Sequence, residues 1–136
     1  MARIETILLA TDASTASQAA EDEAIDLAVR LAGRLVVLSV ISGEPSLRAS
    51  RQLAVEAIVQ RARAAGATAT GLTWEGDAGE SIVEASAAES ADLIVVGTHE
   101  RGTVGRLFLG SVSDYVVRHA RCPVMVVRPT RVVASV

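Results

Sequence analysis

Residues 97–111 read Gly97-Thr-His-Glu-Arg-Gly-Thr-Val-Gly-Arg-Leu-Phe-Leu-Gly110-Ser111, and this glycine-rich segment indicates the fold class most strongly. An apolar run at 91–96 precedes it, and an apolar-periodic segment at 112–119 follows it. A strand that enters a glycine-rich loop and then a helix is how α/β proteins bind phosphate, because glycines let the backbone approach an anion and free helix amides point at it. The segment therefore predicts an α/β fold with an anion site at this loop.

Outward from the loop, five apolar segments alternate with helical patterns. Predicted strands cover 4–10, 34–41, 68–74, 92–96 and 123–127, and predicted helices cover 14–32, 47–65, 79–90 and 111–119. Glycines at 33 and 66 are expected to stop the first two helices. We expect one domain over 1–136, a doubly wound five-stranded parallel sheet with helices on both faces.

The residues that end two of the predicted strands indicate the order of the strands. Asp12 follows the first strand and Gly97 follows the fourth. Ligands of such sheets bind beyond the carboxyl ends of the strands, where the strand order reverses. Strands one and four should therefore be neighbours, which gives the order 3-2-1-4-5.

Composition excludes several classes of function. The chain has 136 residues and a net charge of −3, and all 13 of its basic residues are arginine. The absence of lysine removes the Walker-type phosphate loop, and the charge and the three aromatic residues argue against nucleic-acid binding. No apolar stretch is long enough to span a bilayer, and a single cysteine, Cys122, excludes an internal disulfide framework. We expect a cytoplasmic protein without a membrane partner.

Catalytic and metal-ligating patterns are also missing from the sequence. His99 lies in the loop and His119 on the predicted apolar face of the last helix, where we expect it to pack. Neither histidine has partners at metal-ligand spacing. No nucleophile–base–orienter set is visible, so we predict no catalytic residue and no metal site.

Three segments together resemble the universal stress protein family. The family motif is Gly, two residues, Gly, nine residues, Gly, then Ser or Thr; Gly97, Gly110 and Ser111 match it, whereas Glu100 takes the place of the second glycine. The segments 7–14 and 110–128 are similar to the first strand and the C-terminal end of the family. The resemblance covers nearly the whole chain.

The resemblance implies an ATP site, with Mg²⁺ as a possible companion, in a non-enzymatic stress-response protein. An adenine pocket would involve Ala10, Asp12 and the backbone of Val40. The phosphates would meet the loop and the start of the last helix, through Gly97, Thr98, His99, Arg101, Gly102, Gly110, Ser111, Val112 and Ser113.

Glu100 leaves nucleotide binding open. A carboxylate about 4 Å from a phosphate charge costs roughly 1 kcal/mol in water and about 4 kcal/mol at an intermediate dielectric. Pairing with Arg101 or Arg106, sharing a cation with the nucleotide, or pointing into solvent would each relieve this repulsion. The alternatives are a family homodimer that binds no nucleotide and acts through protein contacts, and a slow nucleotide hydrolase.

Three of these residues also have a purely structural interpretation. Asp12 can hold the turn after the first strand instead of a ribose or a cation. Ser111 can open a capping box with Asp114. Gly97 at a strand end indicates either a special backbone angle or a close approach.

The last strand predicts assembly. An apolar strand at 123–127 on a sheet edge needs a cover, and family members commonly dimerise through this strand. We expect a homodimer, with residues 129–136 as a tail or a dimer contact.

Overall fold

The computed structural model of the chain describes residues 3–98 and 110–129. Strands and helices alternate along it, with one 3₁₀ turn before each of the first two helices. The strands are β1 (Thr6–Ala10), β2 (Arg34–Ile41), β3 (Thr68–Glu75), β4 (Leu93–Gly97) and β5 (Val124–Val127). The α-helices are α1 (Gln18–Leu31), α2 (Arg48–Ala64), α3 (Ala78–Ala88) and α4 (Ser111–His119).

All five strands form one parallel sheet in the order β3-β2-β1-β4-β5, which confirms the predicted order. β1 lies at the centre, and the order reverses between β1 and β4. β3 is an edge strand, as the predicted order requires. β1, β2 and β4 are almost entirely buried because helices cover both of their faces.

Each face of the sheet has its own hydrophobic core. Alternate residues of the central strands, among them Ile7, Leu9 and Val95, pack against α1 and α2. The residues between them, among them Leu8 and Ile94, pack against α3 and α4. The predicted doubly wound architecture is therefore confirmed.

The first helix ends differently from the prediction. Ala32, not Gly33, takes the left-handed conformation after α1, with φ 51°. Gly33 instead permits a close approach, since a Cβ there would lie 3.2 Å from the carbonyl oxygen of Glu5. Gly66 after α2 does have a positive φ of 102°, as predicted.

The apolar spacing predicts buried stripes at Ala20, Ala24, Leu27, Ala28 and Leu31 on α1 and at Ala54, Ala57, Ile58, Ala62 and Ala65 on α2. The structure buries the three alanines of the first stripe, but only Ile58 and Ala62 of the second among its buried residues. On α1, Leu31 is 45% exposed, whereas Glu21 lies in the interior at 5%. On α2, the buried residues are Val55, Ile58, Val59 and Ala62. On α2, the larger β-branched side chains bury more apolar area than alanine, and this turns the buried face toward Val55 and Val59.

None of the helices in the described ranges is long and apolar enough to cross a membrane.

Candidate functional site

Three strand ends converge where the strand order reverses. Ala10 of β1 pairs with Leu38 of β2 on one side and with Val96 of β4 on the other. Two residues further along these chains are Asp12, Val40 and Thr98, which therefore emerge at about the same level of the sheet. We call the space at this level, between the ends of β1, β2 and β4, the crevice.

Asp12 holds the turn between β1 and α1. Its Oδ1 accepts hydrogen bonds from the amide of Ser14 at 2.9 Å and from the hydroxyl of Ser17 at 2.6 Å. The intervening Ala13 is left-handed, with φ 63°, and its amide donates to Thr11 Oγ1 at 3.0 Å. The structural interpretation of Asp12 is therefore observed. It is compatible with a ligand role, because a carboxylate accepts up to about four hydrogen bonds.

The end of β2 turns backbone groups toward the crevice. The amide of Thr11 donates to the carbonyl of Leu38 at 2.9 Å, so this carbonyl faces β1. Carbonyls two residues apart on a strand face the same side, so the carbonyl of Val40 faces the space beyond the end of β1. The neighbouring Ser39, only 1% exposed, donates from its hydroxyl to the carbonyl of Thr11 at 2.7 Å.

An arginine from α2 reaches the same place. Arg51 Nη1 lies 2.9 Å from Ser39 Oγ and 3.5 Å from the carbonyl oxygen of Val40, and it donates toward both. Arg51 forms no ion pair within the described ranges. Arg48, one turn earlier, is instead paired with Glu75 at 3.0 Å.

A buried carboxylate supports the turn from below. Glu21 Oε2 accepts the hydroxyl of Thr11 at 2.7 Å, and its Oε1 lies 3.3 Å from Arg61 Nη2. Desolvation raises the pKa of Glu21 above its ordinary value, although the Thr11 hydrogen bond and the Arg61 charge act in the opposite direction. This carboxylate ties β1, α1 and α2 together.

Thr98 carries an unusual hydroxyl at the end of β4. Its amide donates to the carbonyl of Val127 at 3.1 Å. The residue is 4% exposed, yet its Oγ1 has no hydrogen-bond partner in the part of the chain that the structure describes. Leaving a buried hydroxyl unpaired costs about 1–3 kcal/mol, so this atom needs an explanation.

Gly97 departs from both structural expectations. Its φ is not positive, so the backbone does not require glycine. A Cβ at this position would lie 3.7 Å from Ala20 Cβ and 3.9 Å from the carbonyl oxygen of Ala16, which is ordinary packing distance. The fold of the described residues therefore does not explain why position 97 is glycine.

The predicted capping box at the start of α4 is wrong. Gly110, not Ser111, is the N-cap residue, and glycine has no side chain with which to cap the helix. Asp114 pairs with Arg118 at 3.0 Å, one turn along the exposed face. The hydroxyl of Ser113 turns back to the carbonyl of Gly110 at 3.0 Å. The first amides of a helix have no partner within it, so α4 begins with donors for which residues 3–98 and 110–129 show no side-chain acceptor.

The structure thus brings Ala10, Asp12, Val40, Gly97 and Thr98 to the ends of neighbouring strands. Gly110, Ser111, Val112 and Ser113 form the start of α4, which packs on the β4 face where Val96 lies. The predicted His99, Arg101 and Gly102, together with Glu100 and Arg106, lie in 99–109, outside the described residues.

Two further polar residues lie away from the crevice. His119 is exposed rather than packed into the core; its ring stacks on Tyr115 with ring centroids 4.0 Å apart, and its Nδ1 lies 2.9 Å from the Tyr115 carbonyl oxygen. Cys122 packs against the core under α3 and α4, and burial raises the pKa of its thiol. In residues 3–98 and 110–129, no group of three or more His, Cys, Asp and Glu side chains could hold a metal ion.

Comparison with known proteins identifies the family. The model of the universal stress protein family matches residues 3–128. This chain belongs to the universal stress protein family. A universal stress protein of Thermus aquaticus, encoded in the QAH/OAS sulfhydrylase 3′ region, is 38% identical over 91% of this chain and 98% of its own length.

Solved structures share the fold of this universal stress protein. The structure of a universal stress protein from Archaeoglobus fulgidus matches with a TM-score of 0.79, at 22% identity over 90% of this chain and 97% of that one. A universal stress protein in complex with cAMP matches with a TM-score of 0.78, at 27% identity over 95% of this chain and all of that one, 100%.

Sequence reasoning missed two residues of this universal stress protein, Glu21 and Arg51. Glu21 lies three residues before Ala24 and seven before Ala28, which places it on the buried stripe of α1. Arg51 lies in the first turns of α2, where the helix dipole disfavours a cation. Each is a charged residue at a position that disfavours its charge, and this is the feature of the sequence that could have identified it.

Proposed function

We propose that this universal stress protein binds an adenine nucleotide in the crevice and changes its protein contacts with the state of that ligand. The observation that carries the proposal is the buried, unpartnered hydroxyl of Thr98 at the end of β4. It lies at the reversal of strand order, where α/β proteins bind their ligands. A bond to a bound ligand would satisfy a group that the described protein leaves unsatisfied.

The proposed pose assigns each part of the nucleotide to a part of the crevice. The base lies against Ala10 and the backbone of Val40, and the ribose hydroxyls lie near Asp12. The phosphates meet the uncapped amides of α4 and the residues after β4. The proposed phosphate contacts are Gly97, Thr98, His99, Arg101, Gly102, Gly110, Ser111, Val112 and Ser113. ATP with Mg²⁺ is the proposed physiological ligand.

The solved relative that holds cAMP supports the adenine assignment, since it has the same fold along its whole chain. The described turn after β1 supports the division of roles. The amides of Ala13 and Ser14 already donate to Thr11 and Asp12, whereas no side chain among the described residues accepts from the first amides of α4. An anion is therefore better received at α4 than at the β1 turn.

Mass spectrometry and calorimetry test this proposal. Protein purified in native buffer is denatured and its supernatant is searched for adenine nucleotides, and the nucleotide-free protein is titrated with ATP and AMP, with and without Mg²⁺. We expect saturable binding with one site per chain. No co-purified nucleotide and no heat of binding at millimolar ATP would overturn the proposal.

Glu100 favours a second candidate, a family dimer that acts through protein contacts without a nucleotide. In that case the wild-type protein binds little ATP, and Glu100→Gly creates or sharply strengthens binding. If Glu100 is relieved by one of its neighbouring arginines, the same substitution changes ATP affinity little. The calorimetric titration of the two proteins separates the two candidates.

The proposal includes a homodimer through β5. Val124, Met125, Val126 and Val127 are all partly exposed, although all four are apolar. Within residues 3–98 and 110–129, β5 pairs only with β4, so its outer edge offers backbone groups that no described strand pairs. A second copy that adds its own β5 would cover both the apolar side chains and this edge.

We propose a binding role rather than an enzymatic one. The carboxylates nearest the crevice in the described residues already hold structure, since Asp12 supports the β1 turn and Glu21 bonds to Thr11. Phosphate release from ATP no faster than in a buffer blank is the expected result. Steady release that Glu100→Gln abolishes would instead establish the hydrolase alternative.

A further inference from the structure

We propose that Arg51 sets the base selectivity of the crevice by weakening its preference for adenine over guanine. The inference rests on the proposed function, because it assumes that a nucleotide base lies beside the Val40 backbone. It deepens that function by naming a residue that discriminates between bases.

Arg51 lies beside the backbone carbonyl of Val40. The carbonyl of Val40 faces the crevice, since it lies two residues after the carbonyl of Leu38, which accepts the amide of Thr11. Arg51 Nη1 lies 3.5 Å from this carbonyl oxygen and 2.9 Å from Ser39 Oγ. The guanidinium therefore lies at the β2 wall of the crevice, beside the backbone acceptor that a base would use.

Arg51 is anchored by the hydroxyl of Ser39. Ser39 is buried, and its hydroxyl donates to the carbonyl of Thr11 at 2.7 Å while it accepts from Arg51. No carboxylate in the described ranges draws the guanidinium away. A half-buried arginine at the positive end of α2 is thus held by neutral acceptors at the wall of the crevice.

Adenine and guanine differ in the hydrogen-bonding groups that they would present to this wall. Adenine presents a 6-amino donor, which needs an acceptor such as the Val40 carbonyl. Guanidinium has five N–H donors and no acceptor, so it covers that carbonyl and repels the amino group. Guanine presents O6 and N7 acceptors, which match the donors of an arginine. Arg51 therefore weakens the preference of this wall for adenine, because it improves the contacts of a 6-oxopurine and impairs those of the 6-amino group.

The matched ligands AMP and GMP test the inference, because they differ only in the base. Their dissociation constants are measured by calorimetry for the wild type, Arg51→Met and Arg48→Met. Arg48 is the matched control, since it is one turn away on the same helix and pairs with Glu75 instead of the crevice. Circular dichroism melting confirms that each variant is folded.

We expect Arg51→Met to raise the dissociation constant of GMP relative to that of AMP by about tenfold, which is the discrimination that one hydrogen-bonded contact to a base edge provides. Arg48→Met should leave the ratio at its wild-type value. An effect through the phosphate charge alone would weaken AMP and GMP equally, and an unchanged ratio in Arg51→Met overturns the inference. If the wild type binds AMP but Arg51→Met leaves the ratio unchanged, the inference fails and the proposed function survives. If no variant binds either nucleotide at millimolar concentration, both fail.

Discussion

Thr11 donates its hydroxyl to the buried carboxylate of Glu21 at 2.7 Å, and this bond joins the end of β1 to the first turn of α1. The same hydroxyl accepts the amide of the left-handed Ala13 at 3.0 Å. One threonine thus couples a buried charge to the backbone turn that forms one wall of the crevice.

Glu21→Gln should remove a pH-dependent part of the stability. Burial raises the pKa of Glu21 above its ordinary 4.5, so the folded protein holds this proton more tightly than the unfolded chain. The contribution of Glu21 is therefore fully favourable below pH 4.5 and is lost as pH rises through the folded pKa. We expect the free energy of unfolding of Glu21→Gln to rise relative to that of the wild type as pH increases from 4.5 through the folded pKa.

Urea unfolding from pH 4.5 to 7.5 measures this difference, with Glu23→Gln on the exposed face of α1 as the control. A stability difference between Glu21→Gln and the wild type that does not change with pH would contradict the assignment of the raised pKa.

Thr98→Val should stabilise the protein and weaken nucleotide binding. Its hydroxyl has no partner in the described residues, so removing it raises the free energy of unfolding by roughly 1 kcal/mol. The control is Thr11→Val, which breaks two observed hydrogen bonds and should destabilise the fold. Chemical denaturation and an ATP titration give both readouts. Unchanged ATP affinity in Thr98→Val would show that this hydroxyl does not contact the ligand.

Ala32→Gly should stabilise the end of α1 without touching the core. Ala32 is exposed and left-handed, and this conformation costs a non-glycine residue roughly 1–2 kcal/mol. Part of that gain is lost to the flexibility of unfolded glycine, so we expect about 0.5–1 kcal/mol. Ala57→Gly, the same change inside α2, should instead cost about 1 kcal/mol. Thermal melts that move in the same direction for both variants would refute this reasoning.

Val126→Pro should dissociate the proposed dimer and leave the sheet of each chain intact. The carbonyls of Pro123 and Val127 accept from Ile94 and Thr98, so the odd-numbered residues of β5 face β4. The amide of Val126 therefore points to the outer edge, where proline is tolerated. Light scattering after size exclusion should report a monomer with native circular dichroism. Met125→Pro, the control, removes an inward amide and should unfold β5. A Val126→Pro protein that remains dimeric would exclude pairing through β5.

Local pattern sufficed for much of this molecule. The apolar runs at 34–41 and 92–96 predicted buried strands, because parallel strands are buried on both faces. The strand order was predicted from Asp12 and Gly97, which end the first and fourth strands, because ligands of such sheets lie where the order reverses. The rotation of α2 toward Val55 and Val59 was not predicted, since alanines on several faces of a helix give no single stripe. The helix end at Ala32 escaped because glycine next to it is the usual left-handed residue.

The order of apolar and polar residues along the chain determined the fold and the edge of the sheet that carries the crevice. The tertiary structure alone decided which side chains meet there. Arg51 reaches Ser39 from another helix, Glu21 is buried under Thr11, and the hydroxyl of Thr98 is enclosed without a partner among the described residues. The physical reason is that hydrogen bonds and desolvation depend on distance in space, and residues 10 or 12 positions apart become neighbours only when the sheet and its helices pack together.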